Sequence, residues 1–350
     1  MFLTEPTQDT TKFLDEFRSA QLSHLLVAAI TEFDVASTLS SGPLSYTNLR
    51  EKLKLSERSA TVLLTALRSI ELIDVDQNGN IALTEYGREK MCPESPFHLR
   101  GYLGLGAHSA DVQNMIACLK HDRPAGDISF VYHEDQQDSA LDDPETAKML
   151  ALAMSDRAKN VAPFLAKQLD TQDMTHLVDV GGGHGIYSYA LMAENQDLQV
   201  TIIDRQPALD IAQQYAEEFN LQDRTNLVCA DVHTIELDFQ PDAVLMANLL
   251  HDYDVDAAYK LVDHFAQALA PQGRLMVLDA MLNSVPVGSP PVSTGPPAVA
   301  AYSGLLFSIC EGRCYRFDEV QAWLTRAGLT LDDEILSLPA HGSLVTGFKR

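Results

Sequence analysis

Short apolar runs alternate with amphipathic segments through the C-terminal half of the chain. The runs that read as strands are Leu177–Val180, Val200–Ile203, Asn226–Ala230, Ala243–Leu250 and Arg274–Leu278. Between the last two, Val255, Tyr259, Val262, Phe265 and Leu269 fall at helical spacing. Such alternation is typical of α/β proteins, so the pattern predicts a doubly wound, mostly parallel sheet.

The first of these runs leads directly into a glycine-rich loop. Asp179-Val180 is followed by Gly181, Gly182, Gly183, His184 and Gly185, and a helix is predicted over Ile186–Met192. Glycine lets the backbone turn sharply and approach a ligand closely. The N–H groups at the start of the helix can receive a carboxylate or a phosphate. The spacing G-x-G-x-G differs from the dinucleotide fingerprint, which needs a small residue where Ile186 stands.

Polar residues stand at the carboxyl ends of all five predicted strands. They are Asp179, Asp204, Asp231, His251-Asp252 and Asp279. Doubly wound sheets bind their ligands at this edge, so these side chains are expected to converge on one crevice. Any one of them could be a helix cap or a solvated acid, but five in register favour a site.

Composition and charge restrict the function. The chain has 350 residues, enough for two domains, and a formal charge of −24, which argues against nucleic-acid binding. No apolar run reaches membrane-spanning length, and the polar N-terminus does not resemble a signal peptide. The five cysteines are expected to be reduced thiols of a cytoplasmic protein. Cys310 and Cys314 lack the further ligands of a zinc site, so no metal is predicted.

The first hundred residues have the pattern of a winged helix. Ser56 can cap a helix with Val62, Leu63, Ala66, Leu67 and Ile70 on one face, and Asn78-Gly79 predicts a hairpin turn after it. This region holds 14 acidic and 10 basic side chains. Without a basic surface, a structural role is favoured over DNA binding. Upstream, an apolar stripe that begins at Phe13 and Phe17 is either ordinary core or a surface that packs on a partner subunit.

With these motifs, nearly the whole chain resembles one family. It is similar to class I S-adenosylmethionine-dependent O-methyltransferases of the caffeate, acetylserotonin and bacterial natural-product type. The motifs that carry the resemblance are Asp179–Gly185, Met154-Ser155-Asp156, His251-Asp252 and Gly312-Arg313-x-Tyr315. The resemblance implies a winged-helix dimerisation domain (1–100), a helical connector that contributes to the acceptor pocket (101–165) and a Rossmann-like S-adenosylmethionine-binding domain (166–350).

The resemblance also implies a role for individual residues. The cofactor site comprises Asp179, Gly181, Gly183, Gly185, Asp204, Asp231 and Val232, with Asp204 on the ribose and Asp231 and Val232 beside the adenine. His251 is implied as general base, next to Asp252 and with Asp279 as its acidic partner. Met154, Tyr302 and Cys314 are implied as acceptor contacts. The chain departs from the plant enzymes at Cys314, where they have a second glutamate.

The sequence therefore predicts a homodimeric methyltransferase that acts on a small molecule, at a hydroxyl oxygen. Two alternatives remain open. The acceptor atom can instead be sulfur or carbon, with His251 orienting the substrate. In a different class, the chain would be a non-catalytic, ligand-binding regulator that uses its winged helix.

Overall fold

The computed structural model describes residues 4–125 and 143–350, which contain fourteen α-helices and ten strands. The helices are α1 (Thr11–Thr31), α2 (Val35–Ser40), α3 (Tyr46–Leu53), α4 (Glu57–Ser69), α5 (Glu85–Met91), α6 (Arg100–Leu103), α7 (Ala110–His121), α8 (Pro144–Ala158), α9 (Ala162–Gln168), α10 (Ile186–Glu194), α11 (Gln206–Glu218), α12 (Val255–Ala268), α13 (Pro297–Ile309) and α14 (Phe317–Arg326). The strands are β1 (Ile73–Val75), β2 (Ile81–Leu83), β3 (His176–Val180), β4 (Gln199–Asp204), β5 (Thr225–Cys229), β6 (Ala243–Ala247), β7 (Arg274–Ala280), β8 (Thr330–Leu331), β9 (Leu336–Ser337) and β10 (Gly342–Phe348).

Eight strands form the central sheet in the order β5-β4-β3-β6-β7-β10-β8, with β9 paired to β10. The strands from β5 to β7 in this order are parallel, and β10 runs antiparallel to its neighbours. The predicted fold class is confirmed. The strand order reverses direction at β3, with β4 on one side and β6 on the other, and this switch point is where open α/β sheets bind ligands.

The strand before His251 is shorter than the sequence predicted. It was expected to reach Leu250 but ends at Ala247. Asn248 has φ +54°, a left-handed conformation that asparagine tolerates better than most residues, and this ends the strand. One turn of 3₁₀ helix over Leu250–Asp252 follows. His251 therefore lies in a tight turn beyond the sheet edge.

The chain divides into two compact units that are not consecutive in sequence. The first, here called the sheet unit, comprises Met1–Leu14, Asp135–Met281 and Glu319–Arg350. The second, the helical unit, comprises Asp15–Glu134 and Leu282–Asp318. Compactness thus groups residues 282–318 with the N-terminal region. The boundaries predicted at residues 100 and 165 remain predictions, and residues 126–142 of the predicted connector lie outside the described residues.

Within the helical unit the expected helix and hairpin are present. The Ser56 hydroxyl caps α4 by accepting the Ser59 N–H at 3.1 Å, and β1 pairs with β2 around Gly79. Helix α4 is buried on almost every side, not on one face as predicted. Helices α7 and α13 pack against it. The helix that would read DNA in a winged-helix protein is therefore covered by the protein itself.

Arg58 fixes this packing from within α4. Its Nε and Nη2 donate to the side chain and carbonyl of Asp122 at 2.8 and 2.9 Å. Its Nη1 donates to the carbonyls of Cys310 and Gly312 at 2.9 and 3.2 Å. The guanidinium also lies 4.5 Å from the ring centre of Phe307 in α13. One side chain thus joins three segments of the helical unit.

The proline-rich segment that leads into α13 is an ordered crossover. Val292 and Ser293 are fully buried in the helical unit. Arg68 donates to the Val292 carbonyl at 2.5 Å, and the Ser293 N–H donates to the Thr65 hydroxyl at 3.2 Å. These bonds attach the segment to α4.

No helix among the residues described is both long and apolar enough to cross a membrane. All five cysteines carry free thiols, and only Cys229 is exposed.

We predict that Arg58→Met will lower the thermal unfolding midpoint by several degrees, because four hydrogen bonds to buried or half-buried acceptors are lost at once. Lys52→Met, on the exposed surface of α3, is the matched control and should leave the midpoint within about 1 °C. Differential scanning calorimetry measures both. Equal midpoints for the two variants would contradict the role given to Arg58.

Candidate active site

The polar residues predicted at the strand ends all lie in the sheet unit, at one edge of the sheet. Parallel register brings the ends of β3, β4 and β5 together, as in the pairing of Asp204 with Cys229. Strands β6 and β7 end beside them, with Ala247 opposite Leu278. The loops that follow carry the glycine motif, Asp231 and His251, whereas Asp279 is the last residue but one of β7. The predicted convergence is present.

The glycine loop passes directly over the Asp179 carboxylate. A Cβ atom at Gly182 would lie 2.5 Å from Asp179 Cγ, so no side chain fits there. Gly181, Gly183 and Gly185 have φ of +63°, +53° and +74°, a region that side chains disfavour. The loop therefore approaches any ligand with bare backbone.

Asp179 is buried and only half satisfied. Its Oδ2 accepts the Ser188 hydroxyl at 2.6 Å, whereas Oδ1 has no hydrogen-bond partner among the described residues. Burial raises the pKa of this carboxyl to about 7, and the nearby Asp204 carboxylate adds to the shift. A buried acceptor without a partner is a position that a ligand donor can fill.

Asp204 connects the end of β4 to the glycine loop. Its Oδ2 accepts the Gly183 N–H at 2.8 Å and its Oδ1 accepts the Arg205 N–H at 2.6 Å. Burial raises the pKa of Asp204, and this effect outweighs the two hydrogen bonds, which lower it. At the end of β5, Asp231 is exposed and Val232 is buried. Together with Asp179 and the glycine loop, Asp204, Asp231 and Val232 form a glycine-lined cradle with acids at its rim. A cradle of this kind fits a nucleoside that carries an amino-acid group.

His251 and Asp279 form a buried pair across the ends of β6 and β7. His251 Nδ1 lies 2.5 Å from Asp279 Oδ1, which also accepts the Ala280 N–H at 2.8 Å. Because the carboxylate can only accept, Nδ1 carries a proton, and Nε2 of the neutral ring is the nitrogen that can take one. Nε2 lies 3.6 Å from Asp252 Oδ1.

The two acids control the charge of this histidine. Burial alone would lower the pKa of His251, but the carboxylates of Asp279 and Asp252 outweigh it and hold the pKa above its ordinary value. Arg157 opposes them by its own positive charge. The geometry is that of a base held in one tautomer by a buried acid.

Two residues of the site were missed from the sequence. His184 is buried in the glycine loop, where its Nδ1 accepts the Ile186 N–H at 3.1 Å and its other nitrogen bonds the backbone of Met154. Arg157, one turn beyond Met154 in α8, lies close enough to lower the pKa of His184, Tyr187 and His251. Arg157 directly follows the Met154-Ser155-Asp156 motif, which was the available signal.

Helix α8 is also attached to α11. The Tyr215 hydroxyl lies 3.0 Å from the Ser155 hydroxyl and accepts from Lys159 at 2.9 Å. Together with His184, this contact holds Met154, which is half-buried, near the glycine loop.

The other two predicted acceptor contacts belong to the helical unit. The ring centre of Tyr302 lies 3.9 Å from the guanidinium of Arg18. Cys314 is fully buried, and its N–H donates to the Ser303 hydroxyl at 3.2 Å. Their contact with an acceptor remains a prediction. Within residues 4–125 and 143–350, no group of three or more His, Cys, Asp or Glu side chains could hold a metal ion.

Comparison with known proteins assigns this site to a family. A family model for the O-methyltransferase domain matches residues 123–329, more than half of the chain. The chain belongs to the O-methyltransferase domain family. It is accordingly a class I S-adenosylmethionine-dependent methyltransferase.

Individual relatives extend the comparison over the whole chain. The crystal structure of an O-methyltransferase family 2 protein from Planctomyces limnophilus, in complex with apigenin, is 32% identical, covers 100% of this chain and 98% of its own, and has a TM-score of 0.88. The 3-hydroxy-5-methyl-1-naphthoate 3-O-methyltransferase of Streptomyces sahachiroi is 22% identical over 93% of this chain and 91% of that protein. The match to a mitomycin biosynthesis 6-O-methyltransferase of Streptomyces lavendulae, 26% identical, spans 55% of this chain and about half of that protein (52%).

We predict that His184 makes the folded state sensitive to acid. Burial lowers its pKa to about 3, helped by the charges of Arg157 and Lys159, against about 6.5 when unfolded. Between these values only the unfolded chain takes up the proton, so His184 lowers stability as pH falls from about 6.5 towards 3. His184→Asn removes this titration.

Unfolding midpoints of the two proteins should therefore converge as pH is lowered from 7.5 to 5, although the variant begins lower because the bond to Met154 is lost. The matched control is His98→Asn at an exposed position, whose midpoint should stay parallel to that of the wild type. A constant difference between His184→Asn and wild type over this range would show that the proposed pKa is wrong.

Proposed function

We propose that this methyltransferase acts on a hydroxyl oxygen of a small aromatic acceptor, with His251 as general base. The observation that carries the proposal is the buried pair of His251 and Asp279, with Nδ1 and Oδ1 2.5 Å apart, at the sheet edge that holds the glycine loop. A base held in this tautomer presents Nε2 as its acceptor.

The chemistry requires such a base. The cofactor, when bound, would supply a methyl group on a sulfonium: an aligned nucleophile bonds to the methyl carbon as the C–S bond breaks, and S-adenosylhomocysteine leaves as a neutral thioether. A neutral hydroxyl is a poor nucleophile until its proton leaves. His251 Nε2 takes that proton, and the carboxylates of Asp279 and Asp252 stabilise the imidazolium that results.

The other predicted site residues are assigned either to the cofactor or to the acceptor. Asp204 is proposed to hold the ribose diol, with Asp231 and Val232 beside the adenine. Met154, Tyr302 and Cys314 are proposed to contact the acceptor. Because the Planctomyces limnophilus structure contains apigenin, a planar phenol of this kind is the acceptor class to test first.

One departure from the plant enzymes, at Cys314, keeps a second hypothesis open, in which the methylated atom is sulfur. Cys314 replaces the glutamate that would complete a plant-type catalytic set, and a sulfur acceptor without a proton would not need it. Relatives also differ in the atom they methylate: one is a phenazine-1-carboxylate N-methyltransferase of Pseudomonas aeruginosa, another an L-tyrosine C(3)-methyltransferase of Streptomyces lavendulae. A DNA-binding regulator is disfavoured, because α4 is covered by α7 and α13.

We predict that His251→Gln will reduce turnover of a phenolic acceptor about 10²–10⁴-fold, the usual contribution of a general base, while S-adenosylhomocysteine still binds. In the wild type, the rate should rise with pH through an inflection above about 6.5, because the acids raise the pKa of His251 and only its neutral form accepts a proton. Transfer from methyl-labelled cofactor to apigenin measures both.

Asp279→Asn distinguishes His251 from the acceptor's own ionisation. Removing the carboxylate lowers the pKa of His251, so the inflection should move to lower pH, whereas an inflection that belongs to the phenol would stay in place. A fully active His251→Gln enzyme with a flat pH profile would instead favour the sulfur acceptor.

We also propose that the chain forms a homodimer through its helical unit. Among the residues described there, seven large apolar side chains are exposed, and five of them are proposed to form the interface: Phe17 (72%), Phe97 (64%), Leu99 (45%), Tyr102 (74%) and Leu105 (80%). The segment that holds Leu105 packs on α1, since Cβ atoms at Gly104 and Gly106 would lie 3.7 and 3.8 Å from Thr31 and Val27. Apolar exposure of this extent favours burial against a second copy.

The wild type should accordingly be a dimer in light scattering at micromolar concentration, and Phe17→Glu/Leu105→Glu should be monomeric. Charges at these positions would have to be buried without partners in the interface. Val287→Glu, at an exposed apolar residue of the helical unit that is not among these five, is the control that should remain dimeric. A wild type that is monomeric under these conditions would refute the proposal.

A cytoplasmic location is proposed on the cysteines alone. All five are free thiols, and four of them are buried. Reduced thiols of this kind are usual in a reducing compartment.

A further inference from the structure

Tyr187, in the first turn of α10, has a hydroxyl that is buried and only partly used. The residue is 6% exposed. Its Oη accepts a hydrogen bond from Asn248 Nδ2 at 3.2 Å, but its own O–H proton is donated to no group in the described part of the chain. Buried hydroxyl donors are rarely left unused, since burial without a partner costs free energy. The proton is therefore available to a ligand.

The surroundings of this hydroxyl favour an anion. Helix α10 has nine residues, begins immediately after the glycine loop and has no side-chain cap at Gly185, so its positive end faces the cradle. Burial raises the pKa of Tyr187, and the carboxylates of Asp279 and Asp179 raise it further, which keeps the hydroxyl protonated. Of the neighbouring charges, the Arg157 guanidinium acts most strongly and in the opposite direction. A tyrosine donor, a guanidinium and a helix N-terminus together attract a negative group.

The adjacent unsatisfied group has the opposite polarity. Asp179 is 1% exposed and lies under the glycine loop, and its Oδ1 is an acceptor without a partner among the residues described. A ligand that satisfies both groups carries an anionic acceptor and a donor close together. An α-amino acid has this pair in its carboxylate and ammonium groups, and S-adenosylmethionine has it on its methionine part.

We propose that the Tyr187 hydroxyl donates to the carboxylate of the cofactor's amino-acid part, with the Asn248 amide holding the hydroxyl in place. The proposal rests on the assignment of S-adenosylmethionine as cofactor and adds a specificity residue to it. Asn248 lies three residues before His251. The hydrogen bond from Asn248 to Tyr187 therefore connects the residue that holds the cofactor's carboxylate to the turn that carries the proposed base.

Titration calorimetry with two ligands tests this role. S-adenosylhomocysteine has the carboxylate, and its decarboxylated analogue, S-adenosyl-3-thiopropylamine, lacks only that group. In Tyr187→Phe, Kd for S-adenosylhomocysteine should rise about tenfold or more, because a hydrogen bond to a charged group is lost. Kd for the decarboxylated analogue should not change.

Two further variants separate binding from folding. Tyr189→Phe, two residues along the same helix, loses a hydroxyl that donates to the Ala212 carbonyl at 2.8 Å; it should unfold at lower temperature but bind both ligands as the wild type does. Asn248→Gly keeps the left-handed backbone and removes the amide. It should weaken S-adenosylhomocysteine alone, by less than Tyr187→Phe does.

An equal loss for both ligands in Tyr187→Phe, or no loss for either, would overturn the proposal. Unchanged affinity with a raised KM for the acceptor would overturn it too, because the hydroxyl would then serve the acceptor. If the wild type binds neither ligand, the cofactor assignment itself fails, which is a distinguishable result.

Discussion

The backbone between β3 and α10 runs so close to the Asp179 carboxylate that only glycine fits at residue 182. This steric constraint determines the rest of the site. It holds the loop low enough for the Gly183 N–H to meet Asp204, and it begins α10 at Gly185 without a side-chain cap. The positions of His184 and Tyr187 follow from that start. A side chain at residue 182 would displace all of them together.

Burial gives the ionisable groups of this edge different protonation behaviour. It raises the pKa of Asp179 to about 7 and lowers that of His184 to about 3, so one acid is easily protonated and one histidine stays neutral. At His251 the same desolvation is outweighed by two carboxylates. Three groups within one cradle can thus serve as ligand acceptor, structural bond and proton acceptor because their environments differ.

Much of this arrangement could be predicted from the sequence, because its signals are local. Apolar runs that end in Asp204, Asp231 and His251 identify strands and the edge at which they meet. The contacts that could not be predicted join residues far apart in the chain. Tyr187 and Asn248 are 61 residues apart, and Arg58 reaches a carbonyl 252 residues away. No periodicity encodes such pairs. For the same reason the sequence predicted one buried face for α4, whereas almost every side of that helix is buried.

The discontinuous helical unit has a consequence for how the protein is made. Residues 15–134 leave the ribosome long before residues 282–318, which complete the same unit. Until α13 is synthesised, the apolar side chains that it covers on α4 have no native partner, and Arg58 lacks its acceptors at residues 310 and 312. The nascent N-terminal region thus exposes an apolar surface while the sheet is being synthesised. Chaperone binding during this period would protect that surface from aggregation. Such long-range closure also slows folding.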